Sequence, residues 1–190
     1  LSIFIFVVTI NSYNLIDGID GLAGGYGIIA MISFLFLSLS ADNTVAIILC
    51  ATIIGSLTGF LRFNLSSGKR KIFMGDTGSL VVGFLISVIV LITLSSQYES
   101  NLVFKNTPIL VLSILSFPYI DTLRVMFIRK KSGKKFFEPD KNHIHHKLIS
   151  SGKSHITSSI VILAVYLSSI IFCILFRKTN ITFHFIISLF

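Results

Sequence analysis

The chain has 190 residues, 53% apolar and 13% charged, with a formal charge of +8 and a mean hydropathy of +0.89. A water-soluble domain carries roughly 25% charged residues, about twice this share, so a soluble globule is excluded. A secretory leader followed by a secreted domain is excluded as well, because the apolar segments recur along the whole chain.

In chain order, residues 22–41, 43–61, 77–98, 106–120 and 155–176 contain no Asp, Glu, Lys or Arg. A helix that crosses a bilayer needs about 20 mostly apolar residues. The expected fold is therefore all-α, a polytopic transmembrane helix bundle forming a single integral membrane domain over 1–190. It should have about five complete spans, with partial spans at both ends in LSIFIFVVTI and ITFHFIISLF. The sequence starts at Leu1 and both ends lie inside apolar runs, which reads as a fragment lacking N-terminal spans. Cys50 and Cys173 fall in apolar spans, where thiols behave as small hydrophobes, and imply no disulfide framework.

If the helices alternate across a bilayer, the loops near 11–25, 62–76 and 129–153 share one side. Thirteen of the sixteen Lys and Arg residues belong to that side, and only Lys105, Arg177 and Lys178 to the other. The positive-inside bias then makes these three loops cytoplasmic. Topology and attraction to anionic lipid account for most of the charge without nucleic acid as a partner. Nearly all carboxylates and histidines fall on the same side, an arrangement that suits chemistry at a membrane surface.

The first polar cluster is NSYNLIDGIDGLAGG, residues 11–25. Asp17 and Asp20, at i and i+3, are spaced to share one face of a helical turn, and Asn14 extends that face. Gly18, Gly21, Gly24 and Gly25 allow close backbone approach. Helix capping with small-residue packing is the structural alternative to a ligand site. The second cluster, FNLSSGKRKIFMGDTGSL, places Asp76 between Gly75 and Thr77 ahead of an uncharged span. Asp76 can cap that helix, or it can ligate Mg²⁺, which takes one or two carboxylates and leaves other positions to water and phosphate. Lys69, Arg70 and Lys71 read as a solvated basic loop.

The third cluster, EPDKNHIHHKL, brings His143, His145 and His146 within four residues. Zinc binding, acid–base work and phosphate binding are all open to three imidazoles. Nearby Lys141 and Lys147 disfavour a dication and favour a pyrophosphate oxyanion. A fourth candidate, Asp121, lies inside an apolar helix about 12 Å before its basic end at 1.5 Å per residue. Arg124 at i+3 can neutralise it, and Pro118 should kink the helix. His155 and His184 read as structural.

NLIDGIDGLAGG, GFLRFN, FMGDTGSL, PYIDTLRVM and NHIHHKL stand in the order and spacing of one family. The chain resembles the polyprenyl-phosphate N-acetylhexosamine-1-phosphate transferases, nearest their undecaprenyl-phosphate N-acetylglucosamine-1-phosphate branch. The resemblance implies transfer of a sugar-1-phosphate from a UDP-N-acetylhexosamine to undecaprenyl phosphate with release of UMP. It places the protein in a bacterial inner membrane, initiating cell-envelope glycan synthesis, and leaves room for a homodimer. It implies Mg²⁺ as cofactor, or Mn²⁺ in its place, with Asp76 as metal ligand. Asp17, Asp20, His143, His145 and His146 become the candidate catalytic residues. Asn14, Asn64, Phe73 and Gly75 become the candidate substrate-binding residues, with Phe73 able to stack on uracil. The family's adjacent pair of aspartates occurs nowhere in the 190 residues; it is expected before Leu1, so this segment alone is expected to be inactive.

Two other classes remain. A transporter or channel could line an ion path with Asp17 and Asp121, but it should place polar residues near the midplane of repeated halves, and no internal repeat is visible. An inactive scaffold of a glycan assembly complex would differ from the enzyme only in its missing carboxylates.

Overall fold

The computed structural model describes residues 2–96, 107–133 and 143–175. The C-terminal partial span, Lys105, Lys134, Lys135, Lys141, Arg177, Lys178 and His184 lie outside these residues. The described residues form seven α-helices and one short 3₁₀ turn, and no strand. The helices are α1 (Ser2–Ile16), α2 (Leu22–Ser40), α3 (Thr44–Asn64), α4 (Gly75–Ser96), α5 (Thr107–Lys131), α6 (Ile144–Ser150) and α7 (His155–Leu175). All but α1 and α6 are long and apolar enough to cross a membrane, in agreement with the five expected spans. The N-terminal apolar run forms α1, a shorter helix packed along α4.

The uncharged segment stops at residue 120, and α5 continues past it to Lys131, in line with the expected helix that carries Asp121 toward a basic end. Asp121 and Arg124 pair at 2.7 Å one turn apart, so their charges do not end the helix. Arg129, Lys130 and Lys131 occupy the last turn, where cations favour the negative end of the helix dipole.

Local chemistry sets the other ends. Asn43 caps α3 by accepting from the Ala46 N–H at 3.0 Å, directly after the turn that reverses the chain from α2. Pro118 lies within α5 and has no N–H to give to the Ile114 carbonyl one turn back. The hydroxyls of Tyr26 (α2) and Tyr166 (α7) donate to that carbonyl at 3.0 and 2.7 Å. A backbone acceptor freed by proline thus becomes the point that ties three helices together.

Helix α2 is the central element, touching α3, α4, α5 and α7. Tyr13, Leu22, Tyr26, Met31, Phe34 and Ile114 are among its fully buried core side chains and those of its neighbours. Lipid tails are as apolar as leucine, so close packing and internal hydrogen bonds must hold such helices together. At the α1–α4 contact a Cβ on Gly83 would lie 2.9 Å from the Ile10 Cα, so only glycine lets these backbones meet. The 17–21 segment, the α3–α4 connection and α6 all converge at one end of the bundle.

Candidate active site

Helix α1 stops at Ile16, and residues 17–21 form a turn rather than continuing the helix. The expected shared face of Asp17 and Asp20 is therefore not formed. The glycines at 18 and 21 break the helix, and the two carboxylates serve different neighbours.

Asp17 faces the start of α4. The Gly75 N–H donates to its carboxylate, and Asp76 lies close enough to act on its charge. Burial raises the Asp17 carboxyl above its ordinary value; the Gly75 hydrogen bond lowers it and the Asp76 charge raises it again. Gly75 has φ +65°, a left-handed conformation that favours glycine, and this turn brings its N–H to Asp17. Asp76 is exposed in the first turn of α4, beside the positive end of the helix dipole. Below it, the Ser79 hydroxyl donates to the Asn14 side-chain oxygen at 2.6 Å and locks α4 to α1.

Asp20 faces the other way, toward basic groups. Its Oδ2 meets Lys71 Nζ at 2.6 Å and His155 Nδ1 at 3.7 Å. The Asp20 carbonyl accepts from the Ser159 hydroxyl at 2.7 Å. Lys71 and His155, read from sequence as a solvated basic residue and a structural histidine, are thus partners of a site carboxylate. Lys71 also lies 5.3 Å from the centre of the Phe73 ring, whose side chain is 74% exposed. Lys69 and Arg70 remain exposed, as expected.

Asn64 is buried and uses both ends of its amide. Its oxygen accepts from the Gly21 N–H at 2.7 Å, and its NH₂ donates to the Ile72 carbonyl at 2.9 Å. It clasps the turn before α2 to the α3–α4 connection, which sets Phe73 and Asp76 relative to Asp17 and Asp20.

The histidines separate into different environments. His143 is buried and its Nδ1 meets Asp121 Oδ2 at 2.8 Å. His145 is buried against Gly18, where an added Cβ would lie 2.3 Å from its Nε2. That nitrogen has no hydrogen-bond partner among the described residues. Burial, then the neighbouring His146 and His143, lower the His145 pKa to about 4, so the ring is neutral at pH 7. His146 is half-buried, with its ring 4.3 Å from that of His145.

No cluster of three His, Cys, Asp or Glu suited to a metal occurs among the described residues. The Asp17–Asp76 pair nevertheless fits Mg²⁺, which needs one or two protein carboxylates and fills its shell with water and phosphate oxygens. The Asp76 charge raises the proton affinity of Asp17, so a dication placed against both carboxylates would relieve that repulsion.

Residues 1–94 match the model of the family described as Glycosyl transferase family 4. The chain is 39% identical over 165 residues, 86% of its length, to a probable undecaprenyl-phosphate N-acetylglucosaminyl 1-phosphate transferase of Bacillus subtilis. It is 32% identical over 154 residues, 80% of its length, to the undecaprenyl-phosphate alpha-N-acetylglucosaminyl 1-phosphate transferase of Escherichia coli K12. A decaprenyl-phosphate N-acetylglucosaminephosphotransferase of Mycobacterium leprae is 32% identical over 181 residues, 88% of the chain. These matches cover 43%, 41% and 44% of the respective relatives, so the chain spans less than half their length. With its five apolar helices it is a multi-pass membrane protein, and it belongs to glycosyl transferase family 4.

Proposed function

We propose that the end of the bundle carrying Asp17, Asp20, Asp76 and the histidines transfers N-acetylglucosamine-1-phosphate from a UDP-sugar to undecaprenyl phosphate. One observation carries this reading: the fold brings Asp17, from the turn after α1, to Gly75 and Asp76 at the start of α4. The setting is a bacterial inner membrane with these loops in the cytoplasm, as the distribution of basic residues suggests.

An oxygen of the lipid phosphate forms a bond to the β-phosphorus of the donor. The bond from that phosphorus to the α–β bridging oxygen breaks, and UMP leaves with the electron pair. A phosphate monoester is already anionic at neutral pH, so the nucleophile requires no strong base. Asp17 and Asp76 would hold Mg²⁺; when bound, it would neutralise charge on the diphosphate and orient it. Phe73, exposed beside Lys71, offers its ring to the uracil. His146 and Lys147, on the exposed side of α6, supply donors to phosphate oxygens. Asn64 and Ser79 hold the connections that carry these groups. The ion-path alternative is weakened, because Asp121 is buried against Arg124 and His143.

The test is a donor labelled with ³²P at the β-phosphate and ¹⁴C in the sugar, added to native membranes with undecaprenyl phosphate. Both labels should enter the lipid in equal amounts while UMP accumulates. Transfer of ¹⁴C alone with release of UDP would replace this reaction with ordinary glycosyl transfer.

A further inference from the structure

We infer that Asp121 is the positioning residue for the histidine segment, acting as a helix cap supplied from a different element. Helix α6 has seven residues, too few to be stable by itself. Its N-cap residue, His143, makes no capping bond with its own side chain. Asp121 of α5 supplies that bond: its Oδ1 accepts from the Ile144 N–H, the first of α6, at 3.1 Å. The same carboxylate takes His143 Nδ1 at 2.8 Å and Arg124 Nη2 at 2.7 Å. Asp121 is 1% exposed and His143 4%, so these bonds form away from water, where a lost partner is not replaced by solvent.

The arrangement has a chemical consequence. A carboxylate paired with Arg124 is ionised and can only accept. His143 Nδ1 must therefore carry the proton that points at Asp121, which fixes the ring's orientation and leaves Nε2 as the free nitrogen of the neutral form. With His143 pinned, the next turn of α6 sets His145 on Gly18 and His146 beside it. An acid inside an apolar helix, with an ion-pair partner one turn away, thus determines where the histidines stand relative to the Asp17 turn.

The inference rests on the transferase reading only in giving the histidines a substrate. Its test therefore includes a readout independent of turnover. Protein in native membranes is treated with diethyl pyrocarbonate, and labelling of each histidine is followed by mass spectrometry. The half-exposed His155 on α7 serves as the internal reference. Asp121→Asn keeps the volume but loses the charge. It should raise labelling of His143 and His145 relative to His155 about tenfold, as expected for loss of a hydrogen bond to a charged group. The same variant should lower kcat by on the order of 10²-fold with little change in the KM for the nucleotide sugar. Asp121→Glu, which keeps the acceptor and the charge, should recover part of both. Unchanged labelling of His143 and His145 in Asp121→Asn would overturn the inference whatever the activity. Raised labelling with full turnover would uphold the anchoring role and remove the histidines from the transferase mechanism.

Discussion

At neutral pH Asp17 is held against its surroundings, because burial and the Asp76 charge both favour its protonated form. A group whose folded pKa is raised stabilises the fold below its unfolded value and loses that contribution as pH rises through the folded value. In the absence of divalent cations, thermal stability should therefore fall as pH rises from about 4 through the raised Asp17 value. Saturating Mg²⁺ should flatten this slope and add about 2.7 kcal/mol at a hundredfold excess over its Kd. Asp76→Asn should remove the Mg²⁺-dependent gain; a variant that kept both the gain and its turnover would refute the metal assignment. His145 shows the opposite linkage. Its pKa is lowered to about 4, so its contribution is complete above about 6.5 and is lost as pH falls toward 4. Protection of the α6 amides, measured against their intrinsic exchange rates at each pH, should fall over that window in the wild type. Gly18→Ala, whose added methyl would overlap His145 Nε2, should give faster exchange already at pH 7 and lower kcat by on the order of 10²-fold.

Among the elements, the spans were legible because bilayer helices advertise themselves by missing charge, and α2, α3, α4 and α7 follow that signal closely. The continuation of α5 past residue 120 is legible too, because Arg124 at i+3 can neutralise Asp121; that His143 and the Ile144 N–H share the same carboxylate is not. Pro118 also has a chemical effect that its sequence context does not show: it frees the Ile114 carbonyl to accept from two tyrosines. Asp17 and Asp76 are candidate site residues by their motifs. Their separation from Asp20 is not legible there, because it depends on glycines ending a helix that the i and i+3 spacing would continue. The partnership of Lys71 and His155 with Asp20 joins elements far apart in sequence and leaves no local pattern to read. Asn64 belongs to the same class. Its replacement by alanine strands the buried Gly21 N–H, at about 1–3 kcal/mol, and releases the carbonyl of exposed Ile72. Asn64→Ala should lower the thermal midpoint and weaken nucleotide-sugar binding together; a variant stable as the wild type would show that the clasp does not hold the two connections.

Across the whole molecule, polar groups from α1, the α3–α4 connection, α5, α6 and α7 meet at one end of an otherwise apolar bundle. Further along the bundle, the hydroxyls of Tyr13, Tyr26 and Tyr166 donate to backbone carbonyls, and that of Tyr119 pairs with the Thr9 hydroxyl at 2.6 Å. This separation supports the proposed chemistry at that end of the bundle and leaves the spans to packing. The proposed chemistry needs the Asp17 turn and the start of α4 to meet around a shared cation, and iron-directed cleavage tests that meeting directly. With Fe²⁺ in place of Mg²⁺ and ascorbate with peroxide added, the backbone should be cut near residue 17 and near residue 76 in the same molecules. Both cuts should be suppressed by excess Mg²⁺ and absent from Asp76→Asn. Cleavage at neither position, or at one of them with no response to Mg²⁺, would contradict a metal site shared between these two carboxylates.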